Sequence, residues 1–342
     1  MTGSLVLLAA AVIPCLALLW FFSGRDLYPE PPRRIWAAFW AGIAAMLLAL
    51  CAALPLQAFL PGPEVLGPYR YGLMDAFLLA AIPEECAKFL VLLRFCRKTP
   101  DCDEPMDCLV YAAAASLGFA ALENILYVQD GGMTLALLRA VSAVPSHALY
   151  GAIMGYFLGR ALFTRPGFPG MYALALLVPI GFHGIYDAGP LILSASEAAG
   201  VELPDEEGLP LALLALATLI TQALVASVML RRLREEQRRA NLAITAPGLR
   251  IAEPAQPKRL AYAALAGGAL LGAGSLVVLA LAILGTMAEP VDSGALSELA
   301  LGLSILIGPP LIAAAALLRY ARKRFREAGR ETPRLFSDKP GP

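Results

Sequence analysis

The sequence predicts an all-α fold, a polytopic bundle of about nine transmembrane helices with its N-terminus outside and its C-terminus in the cytoplasm. Three observations predict it. Residues of the AVILMFWYC set make up 58% of the 342, and Asp, Glu, Lys and Arg only 16%, where a soluble domain would be about a quarter charged. Nine runs approach the roughly 20 apolar residues that a bilayer-spanning helix needs. Lys and Arg are unevenly shared among the loops between them, and cytoplasmic loops are the ones enriched in these residues.

The runs fall at about 4–22, 36–60, 72–95, 107–128, 134–161, 171–194, 209–230, 261–287 and 298–319. The first lacks the basic flank and the small-residue cleavage site of a signal peptide, so it reads as a retained span. The loop after it holds Arg25, Arg33 and Arg34, the third loop Arg97 and Lys98, and the seventh a dense stretch from Arg231 to Arg259. The fourth, sixth and eighth loops hold no Lys or Arg, which sets the expected orientation. The charged stretch RRLREEQRR reads as a helical extension beyond the seventh span, followed by a Pro-containing linker. The expected division is a core over 1–235, a cytoplasmic linker over 236–259, an accessory transmembrane hairpin over 260–320 and a basic cytoplasmic tail over 321–342. Lys and Arg together balance Asp and Glu at 27 each, so no charge excess points to a nucleic-acid partner. Cys15, Cys51, Cys86, Cys96, Cys102 and Cys108 match no CxxC zinc pair and read as structural or incidental thiols.

Ionisable side chains at membrane depth are costly and face a bundle interior or trapped water. Four consecutive runs carry nearly all of them. The third has Pro83-Glu84-Glu85-Cys86-Ala87-Lys88, the fourth Phe119 with Glu123-Asn124, the fifth Pro145-Ser146-His147, and the sixth His183 with Asp187. The chain has two histidines, and both lie inside these runs. Glu84 and Lys88 share a helix face at i,i+4, as do His183 and Asp187. His147 begins a stripe continued by Gly151, Gly155 and Gly159, which turns the imidazole toward a close helix contact. Pro83, Pro145 and Pro179 stand just upstream of three motifs and predict opened helices there.

Glu84-Glu85-x-x-Lys88, Phe119-x-x-x-Glu123-Asn124, His147 and His183-x-x-x-Asp187, in that order over residues 70–195, resemble the PrsW family of intramembrane proteases. That family is related to the CAAX-processing and Abi-type membrane proteases. The resemblance implies cleavage of a membrane-anchored protein substrate in a bacterial cytoplasmic (inner) membrane, and founding members cut an anti-sigma factor. It also implies that Glu84 or Glu85 activates water, with His147 and His183 as the other catalytic groups. Lys88, Glu123, Asn124 and Asp187 are then supporting residues.

A glutamate facing trapped water fits a general base. Glu123, His147 and His183 form a possible His₂Glu set for one Zn²⁺, with Asp187 orienting the His183 ring from behind. In the metal-free version a histidine and Asn124 stabilise the oxyanion. Both versions stay open, as does the choice between Glu84 and Glu85. The bland alternative for the acids is a Glu84–Lys88 structural ion pair with Glu85 as second partner. Asp75 and Arg139 read as interfacial charges, and Tyr150 and Tyr186 as packing residues. A transporter or proton pathway would use the same acids and histidines, and a non-catalytic scaffold would tolerate their loss.

Overall fold

The computed structural model of the chain describes residues 2–164, 168–245, 261–262, 264–265, 267–269, 271–272, 311–323 and 325. Among the described residues every regular element is helical and no strand occurs. In chain order these are α1 (Thr2–Ser23), α2 (Pro32–Phe59), the short α3 (Pro63–Leu66) and α4 (Pro68–Met74), and a π-helical turn (Asp75–Ala81). They continue with α5 (Ile82–Lys98), α6 (Pro105–Val141), α7 (Ala143–Gly159), a second π-helical turn (Arg160–Thr164), α8 (Pro169–Ala199) and α9 (Asp205–Thr245). Five helical stretches are long and apolar enough to cross a membrane: Leu5–Ser23, Pro32–Phe59, Pro105–Thr164, Pro169–Ala199 and Glu207–Leu242. The expected span at 72–95 is not among them, because its sequence carries Asp75, Glu84, Glu85, Lys88 and Arg94. The expected spans at 261–287 and 298–319 lie largely outside the described residues, as do most of the linker and of the tail.

The bundle is built around α6. From Met106 to Ala121 every residue of this helix is buried, and its small residues explain why. The Ala112–Ala115 run and Gly118 let neighbouring backbones approach closely, the usual basis of helix packing in lipid. A Cβ on Gly42 of α2 would sit 1.7 Å from Ala115 O, and one on Gly118 would sit 1.9 Å from Phe39 O. On the opposite side the stripe of α7 packs into α6 in the same way. A Cβ on Gly151 would lie 2.5 Å from Ala112 O, one on Gly155 2.3 Å from Cys108 O, and one on Gly159 2.7 Å from Pro105 O. Large apolar side chains such as Trp20, Trp40, Phe59 and Leu209 stand outward and exposed on α1, α2 and α9, as lipid-facing residues must.

The helical run Pro105–Thr164 turns back on itself within the expected fourth loop. Gly132 adopts φ 62°, ψ −159°, a region open only to glycine. Arg139 then reaches Asn124, 15 residues earlier, with Nε to Oδ1 at 2.6 Å; in a continuous helix those residues would stand about 22 Å apart. A second break comes at Ser142 (φ −122°, ψ −74°), inside the expected span 134–161 and just upstream of Pro145, where the sequence predicts an opened helix. Pro145 is the physical reason. Its missing N–H is harmless in the first turn of a helix, so α7 restarts at Ala143 and Pro145 kinks nothing. Pro83 stands in the first turn of α5, directly after the π-helical turn, and Pro179 lies inside the continuous α8.

The charged continuation of α9 runs unbroken to Thr245 and is a strut as much as a basic surface. Glu236 receives Arg160 through both guanidinium nitrogens at 2.9 and 3.0 Å, and Gln237 donates to Asp26 and Glu104. The described parts of the C-terminal helices pack on the same core. Tyr320 Oη lies 3.4 Å from Tyr156 Oη, and Leu317 and Ala321 are buried.

Candidate active site

The ionisable residues of α5, α6, α7 and α8 meet in one cluster. Glu84 and Glu85 open α5 immediately beyond the π-helical turn, and Lys88 follows one turn later on the same face. Its side chain is fully buried, so its charge must be matched. Nζ lies 2.8 Å from Glu85 Oε1, 3.3 Å from Glu84 Oε2 and 3.1 Å from His147 Nδ1, and it caps the Phe119 ring at 3.8 Å. An ammonium has only protons to offer, so His147 Nδ1 accepts, which leaves the ring proton on Nε2. That nitrogen lies 2.8 Å from Glu123 Oε2. Glu123 in turn meets Arg139 Nη2 at 2.9 Å.

His183 is held differently. Nδ1 is 2.9 Å from Glu85 Oε1 and Nε2 is 2.9 Å from Asp187 Oδ2. Two carboxylates on two ring nitrogens is the partner pattern of an imidazolium, which donates from both. Tyr150 stacks on the ring at 4.8 Å, and the two imidazoles meet edge to face at 5.4 Å. The two carboxylates of the motif are not equivalent. Glu85 is fully enclosed, with Oε1 shared between Lys88 and His183, and its Oε2 is buried with no hydrogen-bond partner among the described residues. Glu84 is partly exposed and looser, with Oε2 at 3.9 Å from His183 Nε2.

A cavity of about 130 Å³ opens beside the cluster, room for a few waters at ~30 Å³ each. Its walls include Glu123, Arg139, His147, Tyr150, His183 and Asp187. Glu84 and Glu85 stand behind His183 rather than on its wall. Asn124 faces away from it, donating to Ala11 O of α1 at 3.3 Å and accepting from Arg139. Its amide is thus engaged at both ends in helix–helix contacts.

The donor atoms that share a point are Glu84, Glu85 and His183, which bring one oxygen or ring nitrogen each to within 4.8 Å of one another. This differs from the expected grouping of Glu123, His147 and His183: Glu123 and His147 stay in contact at 2.8 Å, while His183 turns to Glu85 and Asp187. The set fits a divalent ion on its chemistry, since two carboxylates and an imidazole are ligands of hydrolytic zinc. Charge counting agrees. Glu84, Glu85, Glu123 and Asp187 face only two fixed cations, Lys88 and Arg139. With the His183 imidazolium as a third positive charge, one negative charge remains, and in a buried site it needs a proton or, with His183 deprotonated, a metal. The residue that sequence reasoning passed over is Arg139. Only the Gly131-Gly132 pair hinted at it, because a reversal there brings the next helix back past Glu123.

Comparison with known proteins gives this geometry a family. A family model described as PrsW family intramembrane metalloprotease matches residues 30–233, which takes in all four motif helices. Protease PrsW of Geobacillus kaustophilus is 35% identical over 184 residues, covering 53% of this chain and 78% of the relative. That of Oceanobacillus iheyensis is 36% identical over 183 residues (54% and 82%), and that of Bacillus subtilis 34% over 183 (53% and 81%). No solved structure matches. With more than half its length matched and its charged helices inside the match, the chain belongs to the PrsW family of bacterial intramembrane proteases.

Proposed function

We propose that this protein hydrolyses a peptide bond of a membrane-anchored protein substrate, with Glu84 taking a proton from water and His183 returning one to the leaving amine. One observation carries the reading. A partly free carboxylate, Glu84, lies 3.9 Å from an imidazole that is itself held by two further carboxylates, and that imidazole lines a cavity sized for water. Acid and base so arranged are what amide hydrolysis needs. Glu85 and Asp187 fix the His183 ring and stabilise its charge. Glu85 and Lys88 together fix α5 against α7. The guanidinium of Arg139, on the cavity wall, is the donor for the oxyanion of the tetrahedral intermediate, and His147 is held between Lys88 and Glu123. In the metal-bound alternative, Glu84, Glu85 and a neutral His183 would instead hold a divalent ion. Bound there, it would polarise the scissile carbonyl and make water more acidic.

The substrate class is a single-pass or tail-anchored protein, including one of the anti-sigma-factor type, in the bacterial cytoplasmic membrane. The orientation that goes with it is N-terminus outside and C-terminus inside, supported by the basic first, third and seventh loops. The test is cleavage of membrane-anchored peptides in detergent by wild-type protein and by Glu84→Gln, Glu85→Gln and His183→Ala variants. Specific cleavage in the wild type, lost in each variant at normal expression, is expected. Cleavage that survives all three changes would remove this site from the reaction. Solute uptake without cleavage would instead make the cluster a transport pathway.

A further inference from the structure

A second cluster lies at the other end of α5. Cys96 stands in the last turns of α5, Cys102 in the loop between helices, and Cys108 in the first turns of α6. In sequence they are six apart and match no zinc motif. The fold nevertheless brings all three sulfurs to within 4.8 Å of one another, with Cys102 and Cys108 Sγ at 3.6 Å. All three are buried, beside Phe95 and Tyr111, whose rings meet edge to face at 5.1 Å.

We infer that Cys96, Cys102 and Cys108 form a structural thiolate site for a soft or borderline divalent ion, of which zinc is the type. The spacing fits. Zn–S bonds of about 2.3 Å in a tetrahedron place neighbouring sulfurs about 3.8 Å apart, close to the Cys102–Cys108 separation. A disulfide would join two of the thiols at about 2.05 Å and strand the third in the same buried space. Binding releases the three thiol protons. The divalent ion itself offsets two of the three thiolate charges. The loop carrying Cys102 belongs to the basic, cytoplasmic set, where thiols stay reduced and free to ligate. The ion would staple α5 to α6 across the Thr99–Glu104 loop. Those are the helices that carry Glu84, Glu85 and Lys88 on one side and Glu123 and Asn124 on the other. This site is separate from the carboxylate–imidazole cluster, about 12 Å along α5 from Lys88.

The test uses full-length protein in detergent under a non-thiol reductant, titrated with cadmium alone and then with zinc as competitor. The wild type should develop an ultraviolet thiolate-to-cadmium charge-transfer band that saturates at one equivalent and is reversed by zinc. A variant with Cys15, Cys51 and Cys86 all changed to Ser keeps the trio and should keep the full band. So should a Glu84→Gln/Glu85→Gln/His183→Ala variant, which has lost the other candidate metal site. Cys102→Ser should lose the band, and its melting temperature should no longer rise on adding zinc. Absence of the band in reduced wild type would overturn the site, and so would its loss in the Cys15/Cys51/Cys86 variant. A Cys102–Cys108 disulfide in protein thiol-blocked at lysis would overturn it in favour of a redox pair.

Discussion

Glu84 and Glu85 are neighbours in sequence, yet their environments assign them different tasks. Glu85 balances Lys88 inside the protein, with no exposed surface on either side chain. Removing one partner of such a pair leaves the other as an uncompensated buried charge, at about 3–5 kcal/mol. Glu84 remains as a second partner for Lys88, so Glu85→Gln should fall at the lower end of that range. Glu84→Gln should melt close to wild type while cleavage falls about 100- to 10,000-fold, the usual contribution of a general base. Melting curves read beside turnover check this; a Glu84→Gln protein that turns over substrate normally would shift the role of base elsewhere. Arg139 belongs to the same scale. Arg139→Ala withdraws the guanidinium from Glu123 and Asn124 together and should destabilise the bundle by about 3 kcal/mol. A melting temperature unchanged in that variant would make Arg139 the interfacial charge that its sequence position implied.

At the scale of the element, the reversal at Gly132 determines where Arg139 goes. A Cβ there meets no neighbouring atom, so the effect of Gly132→Ala is purely conformational and should cost about 1–3 kcal/mol. Gly155→Leu fails for the opposite reason, since its first added carbon would already overlap Cys108 O at 2.3 Å. It should separate α7 from α6 and lose folded protein altogether, scored by detergent-resistant monomer on size exclusion. The junction of the α1–α2 loop, the α5–α6 loop and the end of α9 is a further element with a pH signature. Burial is the main influence on the carboxyls of Asp26, Glu30 and Glu104, and it pushes them above the ordinary carboxylate value against the pull of Gln237 and Tyr111. In the window above about pH 4 these acids bind more protons folded than unfolded. The fold therefore weakens as pH rises through that window and is firmest on its acid side. An Asp26→Asn/Glu30→Gln variant should show a flatter dependence of melting temperature on pH, from about 4 to 7, the span over which raised carboxyls titrate.

Across the whole molecule, the charge distribution among loops and the packing of α6 describe one object from two directions. The basic loops bear on orientation, and the small residues of α6 let α5, α6, α7 and α8 converge on a single polar cluster inside an apolar bundle. The orientation is checked by labelling single cysteines introduced at Asp130 and Arg238 with a membrane-impermeant reagent in intact cells. Asp130 should label and Arg238 should not; the reverse pattern would invert the bundle and put the Arg231–Arg239 strut outside. Residues 311–323 lie beyond the family match, yet Leu317 and Ala321 are buried in the common core, so this helical segment belongs to the same folded unit.

Composition and the length of the apolar runs were enough to read an all-helical membrane bundle, because lipid leaves helices as the economical way to satisfy backbone polar groups. Spacing alone put Glu84 with Lys88 and His183 with Asp187, since i,i+4 neighbours share a face whatever surrounds them. Long-range pairing was not legible. That Lys88 reaches His147, that Arg139 returns to Glu123, and that three cysteines six apart converge all depend on how helices cross and where the chain reverses. Those crossings are decided by shape, through the glycine contacts of α2, α6 and α7, and shape is a property of the packed bundle rather than of any local run of residues.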